Sequence, residues 1–221
     1  GCLNGVRLLV YNPNTTQAVT DRMVVQARRH ASADTEIVGL GAPRGVPYIS
    51  LPEQAAAAEA VTLEIVAREW PAYDAIIVAA FADPGLMAAR ALSKRPVLGI
   101  AESALLTASM MGDRFAIVSM ASTLLPVFQT MARRLGLTDR LATSFFLDAP
   151  VTDVGRMQID HGAALEAACR DIAARGEVSS IILGGGPLAG LADSFRARVP
   201  VPLLDGVACA VRQAEMMVRL R

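Results

Sequence analysis

The chain has 221 residues, 53% of them hydrophobic and 19% charged, with a formal net charge of +0. That length supports one large domain or two small ones around a substantial core. The balanced charge gives no basic excess that would point to nucleic acid and no charge block of the kind found in disordered tails, and no uncharged apolar window reaches the roughly 18 residues of a membrane span.

Residues 7–11 (Arg-Leu-Leu-Val-Tyr) form an apolar run of strand formers, ended by Asn12-Pro13-Asn14-Thr15-Thr16. Pro13 removes a backbone donor there, and Asn14, Thr15 or Thr16 can cap the next helix. From 17 to 29, Val19, Met23 and Ala27 recur four apart, the spacing of one helical face. Residues 36–40 read as a second strand. Residues 41–52, with two glycines and three prolines, read as a loop long enough to be a lid or substrate loop. An Ala-rich helix over 53–70 stops before Pro71. Residues 76–79 are a fully buried strand, followed by a turn with Asp83, Pro84 and Gly85 and a helix over 86–92. A fourth strand is expected at 96–100 and a helix at 102–111.

The second half opens with a strand at 114–119 and a turn at Ala121-Ser122-Thr123. A helix follows over 123–135, with Pro126 near its start and Gly136 as its stop. Then come a strand at 142–146, an irregular stretch at 151–155, a helix at 157–174 and a strand at 180–183. Gly184-Gly185-Gly186-Pro187 leads into a short helix at 188–195, a strand at 201–204 and a closing helix at 207–220. Strands alternating with helices indicate an α/β fold with parallel sheets, whose ligands bind at the carboxyl ends of the strands. Met110, Met111, Met216 and Met217 read as packing or subunit-interface residues.

Three apolar segments recur at nearly one offset: 7–10 with 114–117 (107), 76–81 with 181–186 (105), and 96–98 with 202–204 (106). Such a series indicates two copies of a strand–helix unit. Two copies facing each other across a pseudo-two-fold axis would form a cleft, with the turns at Ala80 and Gly185 on opposite sides of one small ligand. That arrangement suits two-base chemistry, in which one group removes a proton and the other returns it to the opposite face. The glycines at 184–186 permit close approach of backbone to ligand but match no nucleotide-binding fingerprint.

Asn12-Pro13-Asn14-Thr15, Phe81-Ala82-Asp83-Pro84-Gly85-Leu86 and Gly99-Ile100-Ala101-Glu102-Ser103 follow the first, third and fourth strands. Together with Arg114-Phe115-Ala116-Ile117-Val118, Leu183-Gly184-Gly185-Gly186 and the stretch from Pro202 to Ala210, they resemble the hydantoin and allantoin racemase branch of the aspartate/glutamate racemase superfamily. The resemblance covers essentially the whole chain. It implies two pseudo-symmetric, Rossmann- or flavodoxin-like subdomains with the site in the cleft between them, 1–100 plus 206–221 and 101–205. It also implies a cofactor-independent racemase or epimerase acting at a carbon next to a carbonyl in a small hydantoin, ureido or amino-acid derivative, and a homo-oligomer. No metal is implied.

Racemases of this superfamily move the proton with two cysteines, one from each half, whose thiolates need local donors to lower their pKa. The resemblance puts these thiols at Ala80 and Gly185, and neither side chain carries a proton. Cys2, Cys169 and Cys209 fall on none of the expected turns. Their scattered spacing fits no metal site and makes a reducing cytoplasm the expected setting. Three accounts stay open: Ala80 is an introduced change where the natural chain has cysteine, giving a one-cysteine enzyme such as a decarboxylase or an epimerase with an unusual second acid; other groups, such as Asp83, Glu102, Ser103, Ser119 or Ser122, carry a different reaction, for instance that of a lyase; or the fold binds a ligand without turnover. Substrate-binding candidates are Asn12, Asn14, Thr15, Tyr48, Phe81, Ala82, Asp83, Glu102, Ser119, Ser122, Gly186 and Pro187. For Asp83 the competing reading is a helix cap beside Pro84, and for Asn12 and Asn14 it is turn chemistry.

Overall fold

A computed structural model of the chain describes residues 5–221. Strands and α-helices alternate throughout: β1 (Arg7–Asn12), α1 (Gln17–His30), β2 (Glu36–Gly41), α2 (Pro52–Glu69), β3 (Ala75–Val78), α3 (Leu86–Leu92), β4 (Val97–Gly99) and α4 (Ile100–Met111). The second half repeats the series with β5 (Phe115–Met120), α5 (Leu125–Arg134), β6 (Leu141–Leu147), α6 (Met157–Ala174), β7 (Ser180–Leu183), α7 (Leu191–Phe195), β8 (Leu203–Asp205) and α8 (Gly206–Arg219).

The strands form two parallel sheets ordered β2-β1-β3-β4 and β6-β5-β7-β8. The repeat extends to register. Leu9 pairs with Ile76 and Ile76 with Val97 in the first sheet, and their counterparts Ala116, Ile181 and Leu203 pair the same way in the second. Side-chain alternation along each strand divides the core. Leu9, Tyr11, Ile76 and Val78 pack outward under Val61, Ile65 and Val66 of α2 and Leu86 of α3. Leu8, Val10, Ile77 and Ala79 face inward, joining Val19 and Met23 of α1 in a cluster that runs on into the second sheet. The first half is therefore joined to the second by continuous apolar packing.

The last helix of each half crosses over. α4 packs against β7 and β8 as well as β4, and α8 packs against β3 and β4 as well as β8. Among the described residues no helix is long and apolar enough to cross a membrane.

Most bounds shift by one or two residues, among them the fourth strand, which is Val97–Gly99 rather than 96–100, and the last strand, which is Leu203–Asp205 rather than 201–204; two differences have a local cause. α4 begins at Ile100 rather than 102, because Asp83 accepts hydrogen bonds from the N–H groups of Ala101 and Glu102 and so satisfies its first turn. The helix expected over 188–195 is reduced to Leu191–Phe195. It is preceded by a 3₁₀ turn at Gly186–Leu188 and by Gly190 at φ 84°, a left-handed conformation that breaks the helix.

Candidate active site

In a sheet of order 2-1-3-4 the chain direction across the sheet reverses between the first and third strands, and the crevice opens at their carboxyl ends. Here each sheet has such a point, and the two face one another. Asn14 follows β1, Ala80 follows β3, Ser119 lies at the end of β5 and Gly185 follows β7, and all four line a single small cavity of about 40 Å³. Ala79, Phe81, Ala82, Gly186 and Pro187 also line it, together with Tyr48 and Ile49 of the 42–51 loop and Met120, Leu124 and Phe128 of the second half.

Asn14 is held by its neighbours. Its Oδ1 accepts from Asn12 Nδ2 (2.8 Å) and from the Thr16 N–H (2.9 Å). Asn12 is fully buried, and its Nδ2 also donates to Thr20 Oγ1 at 3.0 Å. With the carbonyl oxygen so occupied, the amide nitrogen of Asn14 is the donor left to face the cavity. On the other side Ser119 donates to the Gly184 carbonyl at 2.8 Å, fixing the glycine turn to β5. Arg22 of α1 and Gln158 of α6 both donate to the Pro187 carbonyl, so side chains from both halves hold that turn.

The two turns differ. Gly185 has φ 129° and ψ 136°, a region that residues with a side chain rarely occupy. Ala80 has no such strain. Phe81 reaches across to the second half. A Cβ at Gly184 would lie 2.3 Å from its ring, so only glycine fits there. The Phe81 ring meets Phe128 edge-on at 5.0 Å, and Phe128 stacks on Phe146.

The 42–51 loop is stitched down from both halves. Ala42 N–H donates to the Asn12 carbonyl, Thr15 N–H to Val46, Thr16 Oγ1 to Pro47 and Thr123 Oγ1 to Ser50. It thereby places Tyr48, whose phenol burial pushes up to about 12, over the cavity as a neutral hydroxyl.

The chain and its fold have counterparts. The Asp/Glu/Hydantoin racemase family profile matches residues 8–214. The chain belongs to that family. A hydantoin racemase from Paenarthrobacter aurescens is 33% identical, over 97% of this chain and 92% of its own length. The solved allantoin racemase from Klebsiella pneumoniae superposes with a TM-score of 0.92 at 33% identity, covering 97% of this chain and 88% of that one. Arylmalonate decarboxylase shares the fold alone, with a TM-score of 0.66 at 14% identity over 96% of this chain and 92% of the other.

For a racemase-family chain, several candidate residues take up positions away from the inner cavity. Asp83 turns its carboxylate to the start of α4, at 3.0 Å from Ala101 N and 2.7 Å from Glu102 N, and not to the helix beside Pro84. Desolvation pushes its pKa up to about 7, against the lowering effect of those two N–H groups. Glu102 is held by Arg90 through two bonds of 2.6 and 3.2 Å. Asp83 and Glu102 border a separate, outer cavity of about 510 Å³ that meets the inner one at Ala82. Ser122 is exposed, and its N–H donates to Asp148. Thr15 contributes a backbone N–H to the loop, and Asn12 acts behind Asn14.

The cysteines lie elsewhere. Cys169 in α6 and Cys209 in α8 are buried in the core, where desolvation holds their thiols up at about 12 and 11, and neither lines the cavity. Cys2 lies outside the described residues. Met110 and Met216 are 77% and 53% exposed and, with Met111, border an apolar groove between α4 and α8. Met120, Leu124 and Phe128 were not among the sequence candidates. Their only signal is that they flank or face the turn after β5, the repeat of the turn that carries Asn14.

Proposed function

We propose that the cleft is a racemase-type site for a small hydantoin, ureido or amino-acid derivative. In this reading Ala80 and Gly185 stand where the two proton-transferring thiols of a 1,1-proton-transfer enzyme belong. The observation that carries the reading is the convergence of Ala80, Gly185, Asn14 and Ser119 on one cavity from the four strand ends at the two switch points. No cation or carboxylate lines that cavity, which favours a neutral, amide-bearing ring. The Asn14 amide is placed to donate to a ligand carbonyl, whose oxygen gains charge when the α-proton leaves.

As it stands, the chain binds such a ligand without thiol-mediated turnover, because methyl and hydrogen at 80 and 185 accept no proton. We take 1–100 with 206–221, and 101–205, as its two subdomains, and a cytoplasmic homo-oligomer as its working form.

The test is solvent-deuterium exchange at C5 of 5-benzylhydantoin, followed by proton NMR and chiral chromatography. The chain as written should bind and exchange at the uncatalysed rate. Ala80→Cys should introduce exchange with retention, since one thiolate removes and returns the proton on one face. Ala80→Cys combined with Gly185→Cys should add inversion. Absence of both binding and exchange in all three proteins would sink the proposal.

A further inference from the structure

Two buried carboxylates solve one structural problem in opposite ways. Asp205 ends β8 and caps α8, accepting from Ala208 N at 2.9 Å, and its other oxygen accepts from Gly190 N at 2.8 Å in the turn leading to α7. In the repeat, position 205 corresponds to Gly99, position 208 to Glu102 and Gly190 to Gly85. Gly99 and Asp205 have the same extended backbone, with φ −110° and −92°, and each precedes its crossing helix. Gly85 and Gly190 likewise share a left-handed conformation, at φ 76° and 84°.

The first half lacks a carboxylate at 99, yet the space is filled. A Cβ built on Gly99 would lie 2.3–2.5 Å from the three carboxyl atoms of Asp83. Asp83 supplies from the turn the same group that Asp205 supplies from the strand end. It reaches that place from a left-handed backbone, φ 46°. Its counterpart in the second half is Leu188. Both carboxylates are buried, 7% and 4% exposed.

We propose that Asp83 and Asp205 are a crossed pair of positioning residues, each tying the turn after the third strand of its half to the helix that crosses onto the other sheet. Asp83 joins the 80–85 turn to α4, which rests on β7 and β8. Asp205 joins the 185–190 turn to α8, which rests on β3 and β4. Neither touches the inner cavity; each sets one of its two facing turns relative to the opposite half.

Hydrogen–deuterium exchange of the unliganded chain, read by mass spectrometry, tests this without any ligand. Asp83→Asn keeps the shape but places an amide N–H against two N–H donors. It should speed exchange about tenfold in peptides spanning 79–86 and 99–103 and leave 184–192 within about twofold. Asp205→Asn should do the reverse, at 184–192 and 205–209. The decisive variant moves the carboxylate: Asp83→Gly with Gly99→Asp should restore the protection that Asp83→Gly alone loses.

Exchange in the relocated variant as fast as in Asp83→Gly, or loosening of both turns alike by either Asn substitution, would overturn the pairing. A second arm rests on the proposed function: calorimetric affinity for 5-benzylhydantoin should fall about tenfold in Asp83→Asn and recover in the relocated variant. Loosened turns with unchanged hydantoin affinity would support the pairing and count against hydantoin as the ligand. Weakened affinity with unchanged exchange would overturn the positioning role.

Discussion

The two halves of the molecule share strand order, register and crossing helices, and yet the turns they bring to the cleft are not interchangeable. The turn that begins at Ala80 has ordinary backbone at residue 80 itself, turns left-handed only at Asp83 and Gly85, projects the large Phe81 ring into the other half, and carries its own capping carboxylate. The turn at Gly185 is restricted to glycine by its φ of 129°, receives that ring against Gly184, and is tied by a carboxylate from the following strand. The scaffolding is symmetric, because packing in the sheets depends on period and register. The loops at the strand ends differ, because each needs only to fit the other. A side chain at 80 is a local change, whereas one at 185 needs the backbone to move.

Phe81 tests that fit most strongly. It is 6% exposed and packed between Gly184 and Phe128. Phe81→Ala should cost about 4 kcal/mol in urea unfolding. It should also open the inner cavity to hydantoins with bulkier 5-substituents, read as a gain in their affinity over that of 5-methylhydantoin. Gly184→Ala should be destabilising in the native background and nearly neutral beside Phe81→Ala. Additive costs in that double-mutant cycle would break the comparison at its centre.

The next effect is a pH dependence that belongs to the first turn. Burial lifts the Asp83 pKa from its ordinary 3.8 to about 7, with Glu102 raising it further and Arg90 opposing. Between those values the folded chain holds a proton that the unfolded chain has released. Stability therefore falls as pH rises from about 4 to about 7, by on the order of 4 kcal/mol, and levels off above. Asp83→Asn should flatten that slope in chemical denaturation at stepped pH. Asp205 is shifted in the same direction by its own burial, so a residual downward slope should remain in Asp83→Asn and be lost in the double Asn variant, which keeps the opposite contribution of Asp193 at the acid end.

Gly185→Ala comes third. Its Cβ would have room, with nothing closer than 3.7 Å, so its cost is the backbone strain of about 2 kcal/mol. The matching change, Ala80→Gly, should cost less than about 1 kcal/mol, through added freedom of the unfolded chain. Equal costs would show that the two turns are equivalent after all.

Much of this was legible in the sequence. Short apolar runs located all eight strands, the six buried ones because a buried parallel strand is distinctive in composition and the half-buried edge strands β2 and β6 by their strand-forming residues alone. The offset shared by 7–10, 76–81 and 96–98 with their later copies carried enough register to bring Ala80 and Gly185 to one cleft. Side-chain partners were not legible. Asp83 beside Pro84 reads as a local cap, and only its left-handed backbone turns it toward a helix start 18 residues on. Glu102 at the first turn of a helix reads as a free anion until Arg90 of α3 packs against it. Leu124 and Phe128 follow a helical core pattern that is the same whether the face meets a sheet or a ligand. These features depend on which elements meet, and neither periodicity nor composition encodes that.

The smallest effect concerns the one polar side chain that the turn after β1 offers the cavity. Asn14 faces inward with its amide nitrogen because Asn12 and Thr16 occupy its oxygen, and Asn12 is in turn held by Thr20 Oγ1 at 3.0 Å. Thr20 is 2% exposed and lies on α1, away from the inner cavity. Thr20→Val keeps its shape and removes that acceptor, leaving one Asn12 N–H with only the longer contact to the Thr16 carbonyl at 3.4 Å. The cost in stability should be about 1 kcal/mol. If the chain of amides is what aims Asn14, affinity for 5-benzylhydantoin should also fall severalfold. Affinity for 1-methyl-5-benzylhydantoin, which keeps both ring carbonyls, should fall with it. The second half has no such relay, since position 121, the repeat of Asn14, is an alanine at φ 54°. A Thr20→Val protein with unchanged affinity for both ligands would place the recognition of the carbonyl on backbone groups of the two turns instead.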